Sequence, residues 1–287
     1  MRTGVRVVET VGELRRALST TAARGVPRSV GLVPTMGYLH EGHASLLRHA
    51  RGECEVVVAS IFVNPTQFAP NGDYTSYPRD LPRDLALLAD ERVDLAFAPP
   101  PGGFYPRDAD TLVVPGGISE PLEGEHRPGH FQGVATVVTM LFNAVRPHRA
   151  YFGEKDWQQL QVVHRIVRDL LLPIDVVGLP VVREPDGLAL SSRNVRLGQE
   201  PRKRALCIPQ ALAAARGAFA AGVTDPPALE RAMADVIARA PDVKADYAVV
   251  VDADSLQPLT RATAASRALI AARVGGVRLI DNTALGD

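Results

Sequence analysis

Cysteine and lysine are scarce in this chain, net charge is missing, and each shortage narrows what the protein does. Its 287 residues include two cysteines, Cys54 and Cys207, too few for a disulfide framework and not spaced as a metal or redox pair. They read as reduced thiols, buried or incidental. Acidic and basic residues balance at 32 each, so no global field favours nucleic acid or a membrane surface. No apolar run approaches the ~18 residues of a membrane span, and Met1 to Glu9 lacks the apolar region of a secretory signal. A cytoplasmic protein with neither nucleic-acid nor membrane partner is expected. The rest is ordinary globular material, 46% hydrophobic, and its length exceeds the ~100–200 residues of a typical single domain.

Hydrophobic periodicity predicts alternating strands and helices over roughly the first 180 residues. Strands are expected at Val5 to Val8, Ser29 to Val33, Glu55 to Val63, Leu95 to Ala98, Leu112 to Val114, Arg149 to Gly153 and Ile174 to Val182. Between them, helices are expected at Val11 to Ala23 behind a Thr10 cap, over Ala44 to Arg51 with a start near Glu41 to His43, around Leu81 to Leu88, at Phe131 to Val145 and at Trp157 to Leu171. Unbroken apolar strands such as Val56 to Phe62 belong in a parallel sheet covered on both faces. The pattern is that of a doubly wound, Rossmann-like α/β domain over 1–182. Beyond it, Ala-rich helices at Arg202 to Ala221 and Pro227 to Arg239 precede strands at Tyr247 to Asp252, Ala268 to Val274 and Gly276 to Asp281. These predict a smaller α+β C-terminal domain over 183–287, closing over whatever the first domain binds.

The segment with the most chemistry is Pro34-Thr35-Met36-Gly37-Tyr38-Leu39-His40-Glu41-Gly42-His43. It lies between a predicted strand and a predicted helix, where free N–H groups and the positive end of the helix dipole favour a phosphate. His40 and His43 fall on one face there. Two histidines at a helix start can equally well cap it or pack in the core. Zinc is a poorer rival, because His-Glu-Gly-His lacks the i,i+4 spacing of a zinc helix and no further ligand cluster completes it.

Four other stretches sit at or beyond strand ends. Asn64 and Gln67, in Asn-Pro-Thr-Gln, offer amide donors and acceptors suited to a small hydroxy acid, or form an ordinary turn. Lysine occurs three times in the chain, and Lys155 is alone in the first 202 residues, in Gly153-Glu154-Lys155-Asp156. Its compact ammonium suits a phosphate whose charge shifts, although a surface ion pair is the alternative. Leu190-Ser191-Ser192-Arg193 follows Val181-Val182 and could hold outer phosphates, Arg193 in bidentate fashion. Arg127 and His130 precede a buried helix and either line the same pocket or cap that helix.

In order and spacing, these stretches resemble the pantothenate synthetase family of the nucleotidyltransferase superfamily, over most of 29–194. The resemblance implies a homodimeric ligase that uses ATP with Mg²⁺ to condense pantoate and β-alanine through a pantoyl-adenylate. It places ATP on the segment from Pro34 to His43, on Gly153, Glu154, Lys155 and Asp156, on Val182, and on Leu190 to Arg193. It places pantoate on Gln67 and Gln159, beside Asn64, and makes His43 the proton donor. In that scheme His40, His43, Lys155 and Arg193 are the catalytic groups. No Mg²⁺ ligand is named, since the acidic residues nearby reduce to Asp80 and Asp84. The stretch Phe68 to Tyr77, centred on Asn71-Gly72-Asp73, is the expected gate. Departures from the family pattern are Tyr38, Trp157 and Leu190. Alternative readings are a nucleotidyltransferase acting on a phosphorylated acceptor and a nucleotide-binding regulator without chemistry.

Overall fold

The computed structural model describes residues 4–21, 28–69 and 74–286. It divides into two compact units, Met1–Glu154 with Val162–Pro180, and Lys155–Gln161 with Val181–Asp287. The centre of the expected gate, 71–73, and the end of the first expected helix lie outside the described residues.

The N-terminal unit is built from β1 (Arg6–Val8), α1 (Val11–Thr21), β2 (Val30–Thr35), α2 (Glu41–Glu53), β3 (Val56–Ile61), α3 (Leu81–Asp90), β4 (Leu95–Phe97), α4 (Glu123–His126), α5 (His130–Val145), β5 (Arg149–Gly153), α6 (Trp157–Asp169) and β6 (Asp175–Leu179). Helix α6 begins among the residues of the other unit. A reciprocal cap starts α1: Glu13 N–H donates to Thr10 Oγ1, and Glu13 Oε2 accepts from Thr10 N–H at 3.1 Å.

The six strands form one sheet in the order β1-β4-β3-β2-β5-β6, with every pair parallel. Alternation sets the two faces. Val33, Val57, Ala59 and Ala96 pack with Leu47 of α2 and Leu88 of α3, while the intervening Leu32, Val58 and Leu95, also buried, face the other way. Burial on both faces is what unbroken apolar strands require. From β2 the chain winds outward through β3 and β4, and from β5 it winds the opposite way to β6. The winding therefore reverses between β2 and β5, and a ligand crevice is expected beyond their carboxyl ends.

The C-terminal unit packs α7 (Gln199–Ala205), α8 (Cys207–Ala220) and α9 (Pro226–Ala238) with an antiparallel sheet, β7 (Val243–Val251), β8 (Arg267–Val274) and β9 (Val277–Ala284). Ile208, Leu212, Leu229, Met233, Val250 and Ile270 supply its core.

Two expectations fail for local reasons. Leu112 to Val114 is not a strand: Leu112 and Val114 are exposed, and the Val113 N–H goes to Thr136 Oγ1 at 3.0 Å. Pro115, Gly116 and Gly117 end the run before it can pair. The single helix expected over 202–221 is two, interrupted at Leu206. Pro209 lacks an N–H and its ring would clash with the carbonyl four residues back. Residues 155–161 also join the C-terminal residues rather than the first unit. Trp157 Nε1 donates to Ala253 O at 2.8 Å, and the Arg267 guanidinium lies 3.7 Å from the Trp157 ring centre.

Candidate active site

Strand β2 carries Pro34 and Thr35 as its last residues. Thr35 Oγ1 donates to Ser60 O at 2.6 Å and accepts from Gly37 N–H at 3.2 Å, so β3 holds the end of β2. The chain then takes two successive left-handed residues, Gly37 (φ +80°) and Tyr38 (φ +52°). Gly37 costs little there, but a tyrosine is strained. What holds the turn is Asp84, one of the buried residues of α3. Its Oδ2 accepts from Tyr38 N–H at 2.8 Å and its Oδ1 from Leu39 N–H at 2.7 Å. Burial pushes the Asp84 carboxyl above the usual carboxylate range, and these two amides offset that only in part. A Cβ on Gly37 would lie 2.9 Å from Asp84 Oδ2, so the close approach also demands glycine. Arg83 stacks over the Tyr38 ring at 4.8 Å, which gives this side chain a place outside the core.

Leu39 is fully buried and Glu41 pairs with Arg48, so their side chains serve the fold. His40 is the N-cap of α2. Its Nδ1 accepts from Gly42 N–H at 3.1 Å, and His43 Nδ1 accepts from His40 N–H at 3.3 Å. The histidines therefore do cap the helix, and one of the N–H groups expected to be free at its start, that of Gly42, is taken by the His40 ring. A neutral imidazole accepting at Nδ1 carries its proton on Nε2. Both rings, 4.1 Å apart between centroids, are thereby set as Nε2–H donors.

At the end of β3, Asn64 is 1% exposed and fully committed. Its Nδ2 donates to Gly133 O at 3.1 Å and to Gln67 Oε1 at 3.0 Å, while Oδ1 accepts from Tyr105 OH at 2.9 Å and from Thr66 Oγ1 and N–H. Two backbone groups, the Gly133 carbonyl and the Thr66 N–H, fix which end of the amide points where. That polarity passes to Gln67, whose Oε1 is taken and whose Nε2 lies 3.1 Å from Met36 Sδ. Gln67 thus turns its donor end toward the motif. Asn64 orients it and has no remaining group for a ligand. His130, buried, has Nδ1 2.9 Å from Gln67 O, so it belongs to this turn, whereas Arg127 pairs with Glu123.

The remaining candidates lie in the C-terminal unit, beginning just past Gly153 and Glu154. Lys155 sits in a short 3-10 turn, its Nζ 3.3 Å from Asp156 Oδ2. Gln159, half-buried, is in the first turn of α6. Val182 O accepts from Leu190 N–H at 3.0 Å, closing the loop that carries Ser191, Ser192 and Arg193. Ser191 Oγ accepts from Arg193 N–H at 3.2 Å, and Asn194 Nδ2 donates to Ala189 O and Glu184 Oε1. Among the described residues no group of three His, Cys, Asp or Glu side chains could hold a metal ion. Asp80 caps α3 through Arg83 N–H, and Asp84 is occupied as described.

Sequence reasoning did not find the roles of Asp84, Gly133 and Tyr105. A signal existed for two of them. Asp84 falls on the Leu81 and Leu88 face of α3, where a carboxylate has no place unless it is partnered. Gly133 interrupts an apolar helix at a cost near ~1 kcal/mol, and a Cβ there would meet Thr66 O at 2.5 Å.

Fold and site together define a nucleotide-type α/β enzyme domain, with imidazole and amide donors at the switch point, joined to a small α+β unit. The family model described as Pantoate-beta-alanine ligase matches residues 6–284, and the chain belongs to that family. A pantothenate synthetase of Roseiflexus sp. (strain RS-1) is 53% identical over 98% of this chain and 99% of its own length. One from Thermotoga neapolitana is 50% identical over 98% and 100%. The crystal structure of pantothenate synthetase from Thermus thermophilus superposes with TM-score 0.93 at 50% identity, covering 99% and 100% of the two chains. The pantoate-beta-alanine ligase of Francisella tularensis, complexed with beta-gamma ATP and beta-alanine, gives 0.78 at 33% identity, covering 98% of each.

Two substitutions test the supports. Asp84→Asn leaves one of two amides facing an NH₂ group and is expected to lower stability by about 1–3 kcal/mol, read from urea midpoints, with activity falling further than stability. Gly133→Ala should push the 65–67 turn off α5, destabilise by about 1–3 kcal/mol and raise the KM of the acid substrate more than that of the nucleotide in steady-state kinetics.

Proposed function

We propose that the protein condenses pantoate with β-alanine at the expense of ATP, through a pantoyl-adenylate, releasing pyrophosphate and then AMP. Membership of the ligase family supports the overall reaction. The observation that carries the chemistry is the pair of Nδ1-capped histidines, which present Nε2–H donors at the switch point. Attack of the pantoate carboxylate on the α-phosphorus builds negative charge on phosphoryl oxygens. His40 and His43 donate hydrogen bonds to it, with His43 the proton donor, and Lys155 supplies positive charge. Ser191, Ser192 and Arg193 hold the departing pyrophosphate.

Gln67, with its Nε2 turned toward the motif by Asn64, donates to an oxygen of pantoate, and Gln159 offers a second amide. The amine of β-alanine then attacks the adenylate carbonyl and AMP leaves, so no covalent enzyme intermediate is required. The other ATP contacts of this reading are Gly153, Glu154, Asp156, Val182 and Leu190, together with backbone groups of the motif from Pro34 to His43. Mg²⁺ enters as part of the MgATP substrate, because Asp80 and Asp84 are engaged in the fold. A cytoplasmic homodimer belongs to the same reading and rests on family membership. No described helix is long and apolar enough to cross a membrane.

AMP release should require both pantoate and β-alanine, measured in a coupled assay; ATP binding without such turnover would defeat the assignment. His43→Ala and Lys155→Ala are expected to lower kcat by about two or more orders of magnitude with little change in Tm. Gln67→Ala should chiefly raise the KM of the two acids and leave ATP binding nearly intact. Near-normal turnover of both the His43 and the Lys155 variants would remove these roles.

A further inference from the structure

Lys155 and the Ser191 to Arg193 loop are well separated in sequence, yet one buried polar chain in the C-terminal unit holds both. It runs through two adjacent residues of β9, Asp281 and Asn282, which are 3% and 1% exposed. Asn282 Nδ2 donates to Lys155 O at 2.9 Å. Its Oδ1 accepts from Arg267 Nε at 2.7 Å, and the same guanidinium covers the Trp157 ring. On the other side, Asn282 N–H donates to Asp281 Oδ1 at 2.8 Å. The Asp281 carboxylate receives Arg183 in a fork, at 2.6 and 3.0 Å, and Arg183 also donates to Gly187 O at 3.1 Å. Arg183 pairs with Ala189 as an isolated bridge, so it braces the loop directly before the two serines.

Such a chain is costly to bury unless every member is satisfied. Here it joins two segments that the fold could have anchored separately. Neither Asp281 nor Asn282 has a part in the reaction as described. We propose that Asn282 is a positioning residue: it sets the backbone of Lys155, and with Asp281 and Arg183 fixes where the lysine stands relative to the serine and arginine donors. A phosphate chain spanning Lys155 and Arg193 then meets donors at one preset spacing. This rests on the reading that Lys155 contacts phosphate.

A double-mutant cycle tests it. Asn282→Asp keeps the side-chain volume and the Arg267 contact but turns an oxygen on Lys155 O. It should lower kcat at least about 10-fold in the otherwise wild-type enzyme, and less than about 2-fold in a Lys155→Ala background, because the group it places is gone. Asn282→Ala is carried through the same cycle, so that poor folding of one variant leaves the other as the test. Equal losses in both backgrounds, the mark of a merely structural role, would overturn the proposal and leave the site reading standing. So would near-normal kcat for the Asn282 variants. Near-normal turnover of Lys155→Ala alone would instead remove the reading of the site and this proposal with it.

Discussion

The carboxylate of Asp84 is the contact on which the motif beyond β2 depends. Beyond β2 the chain must reverse into α2 within a few residues, and it does so through two left-handed conformations, one of them on a tyrosine. A strained turn of this kind persists only when its surroundings over-determine it. Asp84 does so from a different helix by binding two consecutive N–H groups, and its burial makes each bond hard to exchange for water. The position of His40, and through it of His43, follows from where that turn ends.

The same economy appears at the other candidate side chains. Gln67 is oriented by Asn64, which is oriented by the Gly133 carbonyl and the Thr66 N–H. Lys155 is seated by Asn282 on a strand 127 residues away in sequence. Backbone groups cannot rotate to offer the opposite polarity, whereas amide side chains can. Anchoring an amide to backbone therefore converts an ambiguous group into a donor of known direction. The candidate binding groups are thus held by a shell of committed side chains, as precise positioning of donors requires.

The unbroken apolar strands and the helical stripes were readable because burial on both sheet faces leaves a continuous hydrophobic record, and most predicted elements lie within a few residues of those observed. Leu112 to Val114 misled because three apolar residues say nothing of whether a partner strand is near. The break at Leu206 was written in Pro209 but masked by the helix propensity of the alanines around it. In the site, residue types with direct chemical meaning stood out: paired histidines, an isolated lysine, serines before an arginine. The supports did not, since Asp84, Gly133 and Asn282 act through distances that no local pattern contains. Asn64 looked like a substrate contact because an amide at a strand end is chemically ambiguous until its partners are known.

Capping by the two histidines need not compete with the catalytic part proposed for them. A helix N-terminus is electropositive, so a fixed cation placed there would be opposed by the dipole. An imidazole that caps the helix through Nδ1 avoids this penalty: it returns electron density to the orphan N–H groups and stays a neutral Nε2–H donor. The dipole's pull on an anion is then added to two directed hydrogen bonds. In the proposed reaction the positive charge comes instead from Lys155, which lies in a short 3-10 turn assigned to the other unit. Separating directed neutral donors from a cation suits the proposed reaction, in which attack by the carboxylate puts negative charge on non-bridging phosphoryl oxygens and departure of pyrophosphate carries it away on the former bridging oxygen. On that reading the histidine donors mark where the charge develops, and an ammonium whose backbone is held by Asn282 is set to meet it.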